Sequence, residues 1–210
     1  MLPVLTTLVA AAFAIAVGAQ YARKHHPYQL FWAIGLLLFT VAAASGALAR
    51  TGGATETEYR LFYLFGAITN VAWLALGTVY ITAPRFGTIA LGIVTVLSAV
   101  SLYAVFATPV NLAVAIDTGK GFPDGSLPRI LAAIGSGVGS LVLIGGALWS
   151  AWVFVQRRRN GRRAIANIII AVGVFVVAAG GTAAFTGASG ILELTNLIGI
   201  AVMFVGFLLA

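Results

Sequence analysis

Apolar residues fill the chain in runs of about 20, the length an α-helix needs to cross a bilayer, and short polar or turn-forming stretches separate them. Seven such runs occur, near 3–22, 29–49, 58–82, 86–107, 128–155, 164–185 and 190–210. Proline, tolerated in a helix's first turn and disfavoured in its interior, supports the boundaries. Pro3, Pro27, Pro84 and Pro128 stand at predicted starts, Pro109 follows the end of the fourth run, and Pro123 falls in a connection. Thr55 with Glu58 three residues on has the spacing of a capping box at the third start. The pattern predicts a single all-α domain over 1–210 with seven transmembrane helices. The long connection, "TPVNLAVAIDTGKGFPDGS" at 108–126, predicts a short interfacial helix followed by a turn-rich stretch. It is expected to be either a lid or a plain surface loop.

The third run departs from plain hydrophobicity. In "YRLFYLFGAITNVAWLALGTVYI", Tyr59, Tyr63, Gly66, Asn70, Trp73, Gly77 and Tyr80 recur at alternating steps of four and three, which places them on one stripe of an α-helix. Small residues and polar side chains mediate helix contacts in lipid, and an unpaired amide in hydrocarbon costs roughly 2–7 kcal/mol. The stripe must therefore face protein or a polar cavity, which makes this a central helix. Matching faces occur in the second run (Trp32, Gly35, Phe39, Ala42, Gly46), in "AAIGSGVGS" of the fifth, with Gly135 and Gly139 beside Ser136 and Ser140, and in the seventh (Glu193, Asn196, Met203, Gly206). Asn167 adds an amide to the sixth.

Composition removes the soluble alternatives. The chain is 61% hydrophobic and 8% charged, with a mean hydropathy of +1.06, whereas soluble domains carry roughly 25% charged residues. The absence of cysteine excludes disulfides, thiolate metal sites and cysteine nucleophiles. A net charge of +7 suggests topology rather than nucleic acid, because basic residues collect in cytoplasmic loops. With the N-terminus outside, Arg23, Lys24, Arg85, Arg157, Arg158, Arg159, Arg162 and Arg163 fall on the cytoplasmic side. Arg50, Arg60, Lys120 and Arg129 then fall outside, with Glu56, Glu58, Asp117 and Asp124. The run "QRRRNGRR" alone would hold its loop in the cytoplasm, and the C-terminus is inside. The first run has its basic flank after the apolar stretch, unlike a secretory signal, and is expected to be a retained helix.

Glu193 is the acidic residue that falls within a span, and intramembrane ionisable groups are functional candidates. The plainer reading is dipole stabilisation in a first helical turn or pairing with Arg60 or Arg129 at the same level. Asn70 with Trp73 is open in the same way, between bundle-core hydrogen bonding and an amide and indole presented to a ligand. His25 and His26 are adjacent on a short connection and have no nearby carboxylate, which makes a solvated pair the expected role, and no metal or cofactor is expected.

The third run, followed by "APRFG", resembles the third helix of uncharacterised bacterial seven-helix membrane proteins, a likeness that brings no activity with it. It is loosely similar to the seven-helix sensor regions found ahead of histidine kinases, although no kinase domain follows. A retinal protein needs a lysine in its last helix, and the lysines here are Lys24 and Lys120. SWEET-type sugar transporters resemble the chain in having asparagines in helices three and seven, as Asn70 and Asn196 are, but they kink their helices with prolines that these spans lack.

No catalytic set is legible, so an enzyme is not expected. The expected function is binding of a small amphipathic or lipid-like ligand, for sensing or transport, in an outward-facing cavity of spans three, five and seven. Tyr63, Asn70, Trp73, Glu193 and Asn196 are its expected lining, in a multi-pass protein of the bacterial cell membrane, surrounded by lipid. The alternative is a non-catalytic accessory subunit whose glycine faces pack against a membrane-protein partner.

Overall fold

The computed structural model describes residues 1–118, 120–156, 161–186 and 191–210, with the side chains of 116–118, 185 and 186 left aside. Among the described residues the fold is all-helical, and seven helices are long and apolar enough to cross a membrane. They are α1 (Leu2–Lys24), α2 (Pro27–Gly52), α3 (Glu56–Thr82), α4 (Gly87–Ala107), α6 (Leu127–Gln156), α7 (Gly161–Thr186) and α8 (Ile191–Leu209). A short α5 (Leu112–Thr118) lies in the connection between α4 and α6. Each long helix begins and ends within about three residues of a predicted run, because the prolines and the capping box are local signals that act at the ends. At the start of α3 the Glu58 amide donates to Thr55 Oγ1 (3.2 Å) and the Thr55 amide donates to Glu58 Oε2 (2.9 Å).

Neighbour contacts run α1–α2–α3–α6–α7–α8 and back to α1, a closed ring with α4 packed outside against α3. The inside of the ring is apolar. Phe13 and Val17 of α1, Leu36 and Phe39 of α2, Val71 and Leu74 of α3, Leu143 of α6, Val174 of α7 and Ile200 and Met203 of α8 form one cluster. α3 is the most buried helix: 61% of its most apolar window is buried, against 22–39% in the others. The central position that its stripe predicts is therefore what the structure shows.

The glycine faces pack inside the bundle. A Cβ on Gly77 of α3 would lie 2.1 Å from Trp32 Cδ1 of α2, and one on Gly35 of α2 would lie 2.7 Å from Leu74 Cγ of α3. Each large side chain sits over the partner helix's missing one, so the two backbones approach closely and dispersion contacts fill the interface. Gly135 and Gly139 of α6 lie on Ile68 and Val71 of α3, and Gly173 and Gly199 bring α7 and α8 together.

Two stretches leave the α-helical register. Tyr63–Thr69 in α3 and Ala133–Val138 in α6 are π-helical, a wide turn that carries an extra residue. The two face each other: Ser136 Oγ donates to the Ala67 carbonyl at 2.7 Å. Within the α3 segment Thr69 Oγ1 donates to the Leu64 carbonyl (2.9 Å), and at its exit Asn70 Oδ1 accepts the Val71 amide (2.7 Å). Widened turns free backbone groups from their usual partners, and these side chains supply replacements.

Candidate functional site

One end of the bundle carries the N-terminus, the connection 108–126 and all of the acidic residues; the other carries Arg23, Lys24, Arg85, Arg162 and Arg163. Arg157–Arg159 lie outside the described residues. At the acidic end each of three arginines meets a carboxylate. Arg50 Nε stands 2.5 Å from Glu193 Oε1, Arg60 pairs with Glu56, and Arg129 pairs with Asp124. The expected partners of Glu193, Arg60 and Arg129, are thus corrected to Arg50. The reason is that Arg60, one helical turn beyond Glu56, is held there and also donates to the Val105 carbonyl of α4.

The five expected lining residues have different neighbours among the described residues. Tyr63 is buried against the connection, its ring 4.9 Å from Phe122 and 5.9 Å from Tyr59, and its hydroxyl has no hydrogen-bond partner among the described residues. Asn70 is buried where α3 returns to α-helix, its oxygen used by the next residue's amide. Trp73 faces α4, donating from Nε1 to Ser98 Oγ at 3.2 Å, with the Phe31 ring 6.0 Å away. Glu193 and Asn196 are half-buried on α8, which packs on α7 and α1. Asn167 spans α7 to α6 by donating to Ser150 Oγ (2.9 Å).

A cavity of about 390 Å³ opens within the connection, lined by Pro109, Val110, Asn111, Val114, Lys120, Gly121, Phe122, Pro123, Asp124 and Arg129. None of the five expected residues lines it, though Tyr63 supports its floor through Phe122. The connection that builds it is fastened to α3. Phe122 is 1% exposed, packed between the rings of Tyr59 and Tyr63. The Gly121 amide donates to Tyr59 Oη (2.9 Å), and the Gly121 carbonyl accepts the Asn111 amide (2.8 Å), which ties the connection's two limbs together. Position 121 has to be glycine, because a Cβ there would stand 2.7 Å from both the Tyr59 ring and Ala115. Gly125, with a φ of 72°, turns the chain towards α6.

The cavity's lining is mixed. Pro109, Val110, Val114, Phe122 and Pro123 give apolar surface, and Lys120, Arg129 and Asp124 give charge. Small-molecule sites combine those two elements, mostly apolar walls with a few polar groups that fix orientation. The sequence reading missed these residues. The signal available was Phe122, a lone aromatic in the turn-rich "GKGFPDGS". No protein family matches the chain, and neither the curated proteins nor the solved structures give a match.

Proposed function

We propose that the chain is a multi-pass protein of the cell membrane, with the N-terminus and the 108–126 connection outside and the C-terminus in the cytoplasm, and that it binds a small or lipid-like amphipathic ligand for sensing or transport. Exposed Ile89, Ile93, Val96, Leu141 and Phe175 on the helix exteriors support a lipid surround. The concentration of basic residues at one end supports the orientation. The observation that carries the binding role is the cavity in a connection that is fastened by buried Phe122, by the Gly121 amide on Tyr59 Oη and by the Asn111 amide on the Gly121 carbonyl. A loop with no binding role does not need such fastening, and a site needs it to be pre-formed. The glycines that an accessory subunit would present to a partner, Gly35, Gly77, Gly135, Gly139 and Gly199 among them, are used within the bundle.

The test fills the cavity. Val114 lines it and is 42% exposed, so Val114→Trp adds bulk without entering the core. Wild type should be stabilised on heating by medium-chain amphiphiles, and Val114→Trp should melt like wild type but lose that response. Equal responses in both proteins would defeat the proposal.

A further inference from the structure

We infer that the cavity takes the oxyanion head of an amphipathic ligand, a carboxylate on a short apolar body, and that Asp124 occupies the ligand's place on Arg129 until it is displaced. This rests on the binding role proposed above and adds the ligand's chemical class. Arg129 and Asp124 both line the cavity and contact each other, Nη1 to Oδ1. Their surroundings differ sharply: the Arg129 side chain is 14% exposed and the Asp124 side chain 93%. The guanidinium is thus built into the wall, whereas the carboxylate reaches it from a turn that is almost wholly in solvent. An ion pair with one partner so exposed contributes little and exchanges readily.

Arginine presents a planar fork that suits a carboxylate. A ligand carboxylate that replaces Asp124 keeps the charge pairing and adds what Asp124 cannot, an apolar body against Val110, Val114, Phe122 and the prolines. Lys120 supplies a second cation on the same cavity. Among the described lining side chains two are basic and one is acidic, which favours an anionic ligand over a cationic one. Asp124 then acts as a tethered competitor, setting the threshold that a ligand must exceed.

The experiment uses the full chain in nanodiscs of zwitterionic lipid, titrated with octanoate, octanol and octylamine, with empty discs subtracted. Octanoate should bind wild type in preference to octylamine. Asp124→Asn, which removes the competitor at an exposed position, should bind octanoate about two- to fivefold tighter with octanol unchanged. Arg129→Gln should bind octanoate about tenfold more weakly, and Arg129→Lys should recover part of the loss. Oleate placed in the disc that displaces octanoate identifies a lipid source, and octanoate binding untouched by oleate identifies a soluble one; either supports the shared chemistry. Should Arg129→Gln fail to fold, the comparison of Asp124→Asn with wild type still decides. Octanoate affinity unchanged in Asp124→Asn overturns the inference. If octanol still binds and Val114→Trp still blocks it, the binding role survives that failure. If none of the three probes binds wild type, both fail.

Discussion

Replacing Phe122 by alanine should release the 108–126 connection while the helices stay folded. Truncating a buried Phe costs about 3–5 kcal/mol where the surroundings cannot collapse. Here one wall of the site is a connection that can shift, so the lower figure applies. Part of it is the loss of two ring contacts, at 5.6 Å to Tyr59 and 4.9 Å to Tyr63, each worth about 0.5–1.5 kcal/mol. A loss of about 3 kcal/mol raises the open population roughly 100-fold. The reporter is built in: the Gly121 amide donates to the buried Tyr59 hydroxyl and the Asn111 amide to the Gly121 carbonyl. Hydrogen exchange in peptides covering 108–126 should accelerate by that factor in Phe122→Ala, with protection in α1, α7 and α8 unchanged. An acceleration below about tenfold would refute the reasoning. So would a matching loss of protection throughout the ring, because the connection would then be part of the global core.

Gly77→Ala should cost about 1–3 kcal/mol, read as a lower melting temperature, since its Cβ would lie 2.1 Å from Trp32 Cδ1 and 2.9 Å from the Tyr28 carbonyl. Gly92→Ala, with nothing within 4 Å of the added carbon, should be neutral or stabilising by up to about 1 kcal/mol. Glu193→Gln breaks a pair whose side chains are 44% and 20% exposed. It should cost less than about 1 kcal/mol, with a double-mutant cycle through Arg50→Gln giving a similarly small coupling. With no native cysteine in the chain, single cysteines at Thr51, Pro123 and Gly161 should report orientation. An impermeant reagent on intact cells should label the first two and spare the third, and the reverse pattern would invert the proposed topology.

The seven long helices were legible because their signals are local. Pro27, Pro128 and the Thr55–Glu58 box each act within one helical turn. The small-residue face of the second run was legible, but not its partner: Gly35, Ala42 and Gly46 meet Leu74, Gly66 and Phe62 of α3, and of these three only Gly66 belongs to the stripe. The stripe on α3 was read as continuous, which presumes an unbroken α-helix. The π-helical Tyr63–Thr69 adds a residue, and one residue turns everything after it by about 100°. Tyr63 therefore goes to the connection and Trp73 to α4. Asn70 signalled a need for a polar partner, and the partner is its own neighbour's amide, which no periodicity could show. The cavity escaped for another reason. It exists only once Phe122 docks on tyrosines far back in the chain, a contact that depends on the fold being complete.

The wide turns in α3 and α6 also set where this chain tolerates a change of length. A deletion of one residue in an ordinary α-helix rotates one flank by about 100° against the other, and in α3 that would carry Gly77 off Trp32. Within Tyr63–Thr69 the same deletion removes the surplus residue, closes the wide turn to an α-helical one, and leaves both flanks in phase. The same holds for Ala133–Val138 in α6. Each segment works as an expansion joint, and the two are set at one level and linked by Ser136 and Ala67. Shortening should therefore be absorbed at this level of the bundle and disruptive above and below it.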